Sequence, residues 1–379
     1  MKLLFFAGGS YVSGLEIVTL HLIRQLKEEG HEIRCIVNGW NDGMFIGKLK
    51  EMDVPYEEVK LGWLYLRKPL WTLDTLVHLP GAFLKCRRII RSFKPDVSHF
   101  CNYASVILLS PLLKDQACVY NLQEPHEPNA KNLSIYRMLN KRIGIFTAVS
   151  GYIEQVLIDL GIPRDKIKLV YNGVPVIQQT KPKPSEGRLV FAIIGQITSW
   201  KGHSTLIEAV TLMKSSAAPP FQIKVFGNDK TPYADEIKNK IASSGLDTCF
   251  SWEGFVKDQD MIYDQVDVVI VPSLSQEPCS LTILESMMRG KSLIVSDRGG
   301  NPELVKDGDT GFVFKADDPT QLAERMQRFL RNDDRIAPMG GHAYQAARER
   351  FTVEKMTEGY KEIYSDLASR TAGSRSRGH

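Results

Sequence analysis

The sequence lacks the features that would assign it to several common classes of protein. Its six cysteines, at positions 35, 86, 101, 118, 249 and 279, form no Cys-x-x-Cys pair or other metal-ligand spacing. Reduced thiols in a cytoplasmic protein are the simplest interpretation. No apolar run approaches the ~20 residues that a bilayer-spanning helix needs. The apolar run after Lys2 is short and leads into glycines, so we interpret it as a first β-strand rather than a secretion signal.

A nicotinamide-dependent oxidoreductase is also disfavoured. Such an enzyme is expected to carry Gly-x-Gly-x-x-Gly after its first strand and an acidic residue at the end of its second strand. Here the first turn contains Gly8 and Gly9 in a different spacing, and the second strand segment ends at Asn38 without an acid. These glycines could instead allow close approach to a donor phosphate or an acceptor, or simply tight packing.

The sequence does contain a regular alternation of buried-strand segments with amphipathic helical segments, which is typical of parallel sheets. At 379 residues, with 43% hydrophobic and 24% charged residues, two globular domains are expected. We predict domains over 1–176 and 188–350, a linker over 177–187, a C-terminal helix over 351–370 that crosses back to the first domain, and a flexible tail over 371–379. The predicted fold class is α/β, with two doubly wound, Rossmann-like parallel sheets that face a cleft.

Two carboxylates, Glu277 and Glu285, flank the predicted start of a helix. Ser280 is a good N-cap residue for that helix. The free backbone amides of Leu281 and Thr282 would then lie at the positive end of the helix dipole, which suits a diphosphate. Glu285 could hold a ribose and Glu277 the hydroxyls of a sugar, although both could equally be solvated surface carboxylates.

This pattern resembles the donor-binding segment of the family 4 retaining glycosyltransferases of GT-B fold. The resemblance covers most of the chain and includes AVSGYIEQVL, VYNGV, IGQITSWKG and GKSLIVSDRGGNPELVKDGDTGFVF, a set that is specific although each piece alone is weak. It implies that Glu277 contacts the donor sugar, Glu285 the ribose and Lys201 the diphosphate. It also gives His126 a role near the donor sugar, although a lone loop histidine is more often structural. The expected catalytic residues are Glu277, Lys201 and His126, and the expected donor-binding residues are Gly8, Gly9, Gly195, Gln196, Cys279, Ser280, Leu281, Thr282 and Glu285.

The sequence departs from the family pattern at two places. Gln196 stands where the family usually has Arg, so it offers the diphosphate a hydrogen bond but neither a charge nor a bidentate fork. Arg298 is the candidate that would compensate. Cys279 and Ser280 stand where Phe-Gly is usual, which changes how closely the donor can approach the backbone. We expect these departures to weaken donor binding without abolishing function.

The segment from Lys60 to Lys94 holds eight basic residues and one acid, a net charge of +7. Trp63, Tyr65 and Trp71 lie within it. A solvated helix face is the ordinary explanation of a charge run, but basic residues beside aromatics favour an anionic membrane surface. Nucleic acid is disfavoured because no binding motif accompanies the patch. The residues assigned to this membrane or acceptor side are Arg67, Lys68, Lys85, Arg87, Arg88 and Arg91.

The predicted function is that of a retaining, hexosyltransferase-type glycosyltransferase. It would move a sugar from a nucleotide-sugar donor to a lipid-linked or polysaccharide acceptor, as a peripheral protein at the cytoplasmic face of a membrane. Lys201 and the helix amides would stabilise the leaving diphosphate, so neither a metal nor a cofactor is expected. Two alternatives stay open: a GT-B-like nucleotide-sugar epimerase, which would release nucleotide without an acceptor, and a non-catalytic nucleotide-sugar-binding partner subunit.

Overall fold

The computed structural model describes residues 1–61, 69–177, 188–214 and 219–376. Arg67, Lys68 and residues 178–187 of the predicted linker lie outside these ranges. The described chain forms two compact units. The first comprises Met1–Gly173 with the C-terminal segment from Val353, and the second comprises Val174–Thr352. The second unit begins before the predicted linker because the Val174 amide donates to the Phe351 carbonyl at 2.9 Å.

The first unit contains a parallel sheet flanked by helices. Its strands are β1 Lys2–Ala7, β2 Glu32–Asn38, β3 Tyr56–Val59, β4 Val97–Phe100, β5 Cys118–Leu122, β6 Ile145–Ala148 and β7 Ile167–Leu169. They pair in the order β3-β2-β1-β4-β5-β6-β7, all parallel. The helices are α1 Gly14–Glu28, α2 Met44–Glu51, α3 Pro69–Phe93, α4 Tyr103–Leu108, α5 Ala130–Leu139 and α6 Gly151–Asp159, joined by the last helix of the chain, α14 Val353–Ser376.

The second unit repeats this plan with a smaller sheet. Its strands are β8 Leu189–Ile194, β9 Phe221–Phe226, β10 Phe250–Gly254, β11 Val268–Val271, β12 Ser292–Ser296 and β13 Phe312–Phe314, in the order β10-β9-β8-β11-β12-β13. The helices are α7 His203–Lys214, α8 Pro232–Ser243, α9 Gln259–Tyr263, α10 Leu281–Met288, α11 Asn301–Leu304, α12 Pro319–Arg331 and α13 Ile336–Arg350. Two parallel, doubly wound sheets confirm the predicted fold class.

The strand order fixes where each unit can hold a ligand. In the first sheet the order reverses between β1 and β4, and in the second sheet it reverses between β8 and β11. Helices that leave such neighbouring strands go to opposite faces of the sheet, so a crevice opens beyond the carboxyl ends of those strands. Ligand-binding residues are therefore expected just after β1 and β4 in the first unit, and just after β8 and β11 in the second.

Local sequence explains why the elements beside these crevices form. All four residues of β11, which reads Val-Val-Ile-Val, are fully buried, as expected for a β-branched central strand covered on both faces. Helix α1 begins with a capping box, in which the Ser13 hydroxyl and the Glu16 carboxylate satisfy amides of the first turn. Such a box fixes the point at which the chain turns from loop into helix.

The last helix is anchored in the first unit by buried aromatic side chains. Tyr360 and Tyr364 are buried, and the Tyr364 hydroxyl lies 2.7 Å from Nδ1 of the buried His99 on β4. Burial lowers the pKa of His99 to about 3. Helix α14 continues past the predicted boundary at residue 370 to Ser376, and the Thr371 hydroxyl donates to the Leu367 carbonyl at 2.9 Å. Within the described ranges, none of the helices combines the length and apolar character that a bilayer crossing requires.

Candidate active site

A pocket in the second unit lies at the predicted crevice. It is lined by residues that follow β8 and β11 directly: Gly195, Gln196, Lys201, His203 and Ser273, with apolar strand residues beneath them. Burial lowers the pKa of His203 to about 4, and a backbone hydrogen bond to Thr198 opposes this shift. At neutral pH the pocket therefore offers a neutral imidazole, a lysine and the amide of Gln196 to a ligand.

Lys201 and Glu277 form the central contact of this unit. The Lys201 ammonium lies 2.5 Å from Glu277 Oε1, and the Ser273 hydroxyl donates to the same oxygen at 2.6 Å. The two charged side chains are 17% and 9% exposed, so both are largely removed from water. A charge pair with this little solvent depends on its partners, and losing one of them leaves the other charge poorly compensated. The two residues that sequence reasoning assigned to diphosphate and sugar are thus in direct contact.

Two glycines hold the segments that carry this pair. Gly202, directly after the lysine, has φ +77°, and a Cβ there would lie 1.9 Å from the Pro272 carbonyl oxygen. Gly299 has φ +59°, and its Cβ would lie 2.1 Å from the Glu277 carbonyl oxygen. Both positions need a left-handed backbone and have no room for a side chain. The loops after β8, β11 and β12 are therefore packed backbone against backbone around the ion pair.

The helix predicted to begin near Ser280 is α10, which starts at Leu281. Ser280 occupies the N-cap position, as predicted, but its side chain makes no capping hydrogen bond. The Ser280 carbonyl instead accepts from the Leu284 amide at 3.2 Å. Cys279 and Ser280 are buried, whereas Leu281 and Thr282 are partly exposed. The first-turn amides of α10 are therefore the part of this segment that a donor could reach.

Glu285 lies further along α10 and faces α9. Its Oε1 accepts from Gln259 Nε2 at 2.7 Å. Burial raises the pKa of this carboxyl, while the Gln259 hydrogen bond and the nearby Arg289 charge lower it. Arg289 in turn pairs with Asp260 at 2.9 Å. The Glu285 side chain is thus half-buried and is held by the side-chain amide of Gln259. A carboxyl group with one neutral partner of this kind could accept hydrogen bonds from ribose hydroxyls in its place.

The sequence contains two Asp-x-Asp triplets, a pattern used by metal-dependent transferases. In the first, Asp258 caps α9 and Asp260 pairs with Arg289. In the second, Asp307 accepts from the Val313 amide at 2.8 Å and Asp309 pairs with Lys306 and His342. Structural contacts thus account for both triplets. Among the described residues, no three His, Cys, Asp or Glu side chains cluster in a way that could hold a metal ion.

The first unit has its own pocket, with a cavity volume of about 90 Å³, at the ends of β1 and β4. Gly8 and Gly9 line it, together with Glu16, Asn38 and Asn102. The Glu16 carboxylate is buried and accepts from the Gly9 amide at 2.9 Å. Sequence reasoning found the glycines but missed the three polar side chains. The available signals were the Ser-x-x-Glu capping box and the positions of the asparagines, with Asn38 as the last residue of β2 and Asn102 just after β4.

His126, the third predicted catalytic residue, lies in the loop before α5. Its Nδ1 is 2.8 Å from the Tyr136 hydroxyl, and its ring packs edge-on against Tyr103 at 5.9 Å. Burial lowers its pKa, and the charge of Lys131 acts in the same direction. The imidazole is therefore neutral at pH 7 and is oriented by an aromatic cluster. His126, Gly8 and Gly9 belong to the first unit, and the other predicted catalytic and donor-binding residues belong to the second.

Comparisons with known proteins assign the chain to a family. A family model described as "Glycosyltransferase Family 4" matches residues 12–177, and one described as "Glycosyl transferases group 1" matches residues 177–349. N-acetyl-alpha-D-glucosaminyl L-malate synthase of Bacillus anthracis is 30% identical over 374 residues, covering 94% of each chain. The chain is a family 4 glycosyltransferase. Spore coat protein SA of Bacillus subtilis is 26% identical, over 77% of this chain and 82% of that protein.

Solved structures give the same fold. A glycosyltransferase from Rickettsia africae superimposes with a TM-score of 0.83 at 21% identity, covering 97% of this chain and 98% of that chain. The Anabaena protein HepE, in complex with UDP and glucose, superimposes with a TM-score of 0.80 at 20% identity, covering 97% and 100%. At these identities the likeness establishes the GT-B fold of this family 4 glycosyltransferase.

Two further predicted features of this glycosyltransferase can be placed. Arg298 directly precedes Gly299, and its Nε atom is buried without a hydrogen-bond partner among the described residues. A guanidinium therefore lies in the loop that packs on Glu277.

On α3, Lys85 pairs with Glu57 at 2.8 Å, whereas the other described residues assigned to the membrane side are exposed: Arg87, Arg88 and Arg91.

Proposed function

We propose that this glycosyltransferase moves a hexosyl group from a nucleoside diphosphate sugar to a lipid-linked or polysaccharide acceptor, with retention of configuration and without a metal. We further propose that it works as a peripheral protein at the cytoplasmic face of a membrane. The observation that carries the proposal is the Lys201–Glu277 ion pair in the second-unit pocket. It joins a cation for the diphosphate to a carboxylate for the sugar.

The ion pair suggests how donor binding proceeds. The diphosphate is a stronger anion than one carboxylate, and it can replace Glu277 as the partner of the Lys201 ammonium. Glu277 keeps its hydrogen bond from Ser273 at 2.6 Å, so it stays oriented and becomes free to accept bonds from sugar hydroxyls. Gln196 and the first-turn amides of α10 would add neutral hydrogen bonds to the phosphate oxygens. Donor binding would thus replace the Lys201–Glu277 ion pair by contacts of Lys201 with the diphosphate and of Glu277 with the sugar.

In the transfer step, the bond from the anomeric carbon to the diphosphate oxygen breaks and the acceptor oxygen bonds to that carbon. Attack on the same face retains the configuration. The acceptor hydroxyl gives its proton to the departing phosphate, so no enzyme base is required. Lys201 and the α10 amides supply positive charge where negative charge develops on the leaving group, which is the ordinary electrostatic contribution to such a step. This supply of charge is the reason for proposing that no metal takes part.

Named relatives support the choice of donor and acceptor class. HepE has been solved with UDP and with UDP-glucose. A relative from Escherichia coli, 24% identical over 230 residues, is named as a putative colanic acid biosynthesis glycosyltransferase. These names favour a nucleotide-sugar donor. The Escherichia coli relative favours a glycan acceptor, whereas the Bacillus anthracis relative, 30% identical, has L-malate in its name. The exposed arginines of α3 favour a membrane location, since anionic lipid surfaces attract clustered basic residues.

The test is a panel of UDP-, GDP-, ADP- and dTDP-sugars with an acceptor extract, measuring nucleotide release with and without EDTA. The expected result is saturable, acceptor-dependent release from one donor that survives EDTA and is lost in Lys201→Ala and in Glu277→Ala. A matched control is the exposed ion pair of Lys240 with Glu208, at 2.7 Å in the same unit. Lys240→Ala and Glu208→Ala should release nucleotide at the wild-type rate.

Three outcomes would contradict parts of the proposal. Donor binding without any turnover would favour a non-catalytic binding subunit, since Gln196 replaces the family arginine. Release of free nucleotide without an acceptor would favour the epimerase alternative. Loss of release with EDTA would overturn metal independence but leave the roles of Lys201 and Glu277 in place.

A further inference from the structure

Helix α3 carries an exposed stripe whose chemistry changes along its length. Residues three and four apart lie on one face of an α-helix. The stripe follows this spacing, and every member is exposed; its members are Leu70, Leu73, Val77, Pro80, Leu84, Arg87 and Arg91. It is apolar from Leu70 to Leu84, over about 21 Å at 1.5 Å per residue, and basic from Arg87 onward. A single solvent-facing stripe is thus divided into an apolar half and a basic half.

The apolar half is unusually exposed for a folded unit. Leu70, Leu73, Leu76, Val77 and Leu84 are 50% to 76% exposed. Six of the sixteen exposed large hydrophobic side chains among the described residues lie on α3. Single exposed apolar residues are ordinary, but a contiguous exposed patch indicates an interaction site.

The two halves of α3 are held to the first unit in different ways. The second half is anchored by the core residues Cys86, Ile89, Ile90 and Phe93. In the first half, Thr75 and Ala82 are buried, and the Asp74 carboxylate on the flank accepts from Trp40 Nε1 at 2.8 Å. At about 100° per residue, Thr75 and Ala82 lie on the helix face opposite the stripe. The apolar side chains of the stripe therefore point away from the buried face of this half of the helix.

The charge of the basic half is available to a partner. Arg87, Arg88 and Arg91 are exposed, and none of them forms an ion pair with a described residue. By contrast, Lys85 on the flank pairs with Glu57 at 2.8 Å. Three exposed guanidiniums that form no ion pair with a described residue, beside an apolar stripe, would fit a partner that is both anionic and partly apolar.

We infer that α3 is an interfacial helix, which inserts its apolar half into the acyl boundary of an anionic membrane while its arginines contact the headgroups. The inference rests on the proposed membrane location and adds the exposed apolar stripe of α3 and the mode of attachment. A lipid surface offers both required chemistries together, apolar chains below and negative charge above. A second copy of α3 fits less well, because pairing would place arginines either against arginines or against the apolar half.

The experiment is co-sedimentation of the full chain with vesicles of phosphatidylcholine alone, or of phosphatidylcholine with phosphatidylglycerol, at low salt and at 1 M NaCl. The variants are Leu73→Asn with Val77→Asn, and Arg87→Gln with Arg91→Gln. The matched controls are Leu169→Asn, an exposed leucine in the same unit, and Lys114→Gln with Lys141→Gln, two exposed lysines there. Thermal unfolding and nucleotide binding of each variant report on folding.

The expected result is binding to anionic vesicles that falls at least tenfold in the leucine–valine variant, because two apolar side chains no longer enter the lipid. It should fall about fivefold for each arginine removed. The apolar contribution should also leave measurable binding at 1 M NaCl, where surface charges are screened within about 3 Å. Both control variants should bind as the wild type does.

Unchanged binding of the leucine–valine variant, with complete release at 1 M NaCl, would refute insertion while the proposed membrane location stands. No binding to any vesicle would refute both. Self-association of the wild type that the leucine–valine variant loses would assign the stripe to a second copy of the chain and overturn the inference. Sugar transfer to a water-soluble acceptor is measured separately, so that failure of the proposed transferase activity is distinguished from failure at the membrane.

Discussion

Replacing Glu277 by Gln should tighten the binding of a free nucleoside diphosphate while abolishing sugar transfer. The Glu277 carboxylate lies 2.5 Å from the Lys201 ammonium. The diphosphate has to displace it, which costs part of the energy of that contact. A glutamine of the same shape keeps a neutral contact and removes the competing charge. It also takes away the anionic acceptor that the sugar hydroxyls would use.

The size of the effect follows from the contact. Hydrogen bonds to charged groups contribute about 1.5–3 kcal/mol. We take about 1–2 kcal/mol here, because the Lys201 side chain is still 17% exposed and solvent screens part of the attraction. Since about 1.4 kcal/mol is a factor of ten, the nucleoside diphosphate should bind roughly five- to thirtyfold more tightly to Glu277→Gln.

Isothermal titration of UDP, or of whichever nucleoside diphosphate the donor panel selects, measures this change directly. Lys201→Met should lose affinity in the same assay, and Glu208→Gln, in the exposed ion pair of the second unit, should bind as the wild type does. Equal or weaker binding by Glu277→Gln would refute the view that the carboxylate and the diphosphate compete for one lysine.

Three further predictions concern the second-unit pocket and the core of the first unit. Gln196→Arg should tighten donor binding about tenfold, because a guanidinium adds a charge-assisted bond to the diphosphate; unchanged affinity in a titration would contradict this role. Gly299→Ala should lower donor turnover at least tenfold, since its Cβ would lie 2.1 Å from the Glu277 carbonyl oxygen, whereas Gly341→Ala on α13, where a Cβ meets nothing within 4 Å, should not. Acid should destabilise the first unit, because burial lowers the pKa of His99 to about 3 and the unfolded chain, with a histidine pKa near 6.5, gains a proton first. This histidine should therefore lower the free energy of unfolding by about 1.4 kcal/mol per pH unit between roughly pH 6 and pH 4. Urea titrations at several pH values should show a smaller fall of that free energy with pH in His99→Phe.

The sequence allowed much of the fold to be predicted, because central strands of parallel sheets are continuous apolar runs. The β11 segment and its neighbours are of this kind. Strand β3, Tyr56–Val59, is not. It lies at the edge of the sheet, where only Val59 is fully buried, so its sequence carries two glutamates and lacks the apolar run. Edge strands are specified by pairing with a neighbour more than by their own composition.

The sequence named candidate site residues, whose roles stay predictions, but not the contacts between them. Lys201 and Glu277 are separated by 76 positions, and nothing in their local sequences indicates that they pair. That contact depends on the strand order, which places the ends of β8 and β11 side by side. Ser280 was placed correctly at the N-cap, but its sequence does not show that its hydroxyl makes no capping hydrogen bond.

The basic segment was recognised from its charge, but its sequence alone does not show which apolar residues are buried. Ile89, Ile90 and Phe93 interleave with the arginines in sequence and are buried in the core of the first unit. The exposed apolar residues lie mostly earlier on α3, where fewer side chains are buried. The buried and the exposed apolar residues can be told apart only from the structure.

The most direct test of the proposed activity compares kcat/KM for the identified donor in Lys201→Ala, Glu277→Ala and the double variant. Removing one preorganised group from such a site typically costs about 10²–10³ in rate. Because the two residues contact each other, their effects should not add, and the double variant should lose little more than the worse single variant. Wild-type donor turnover in either single variant would contradict the assignment of this pair to the active site.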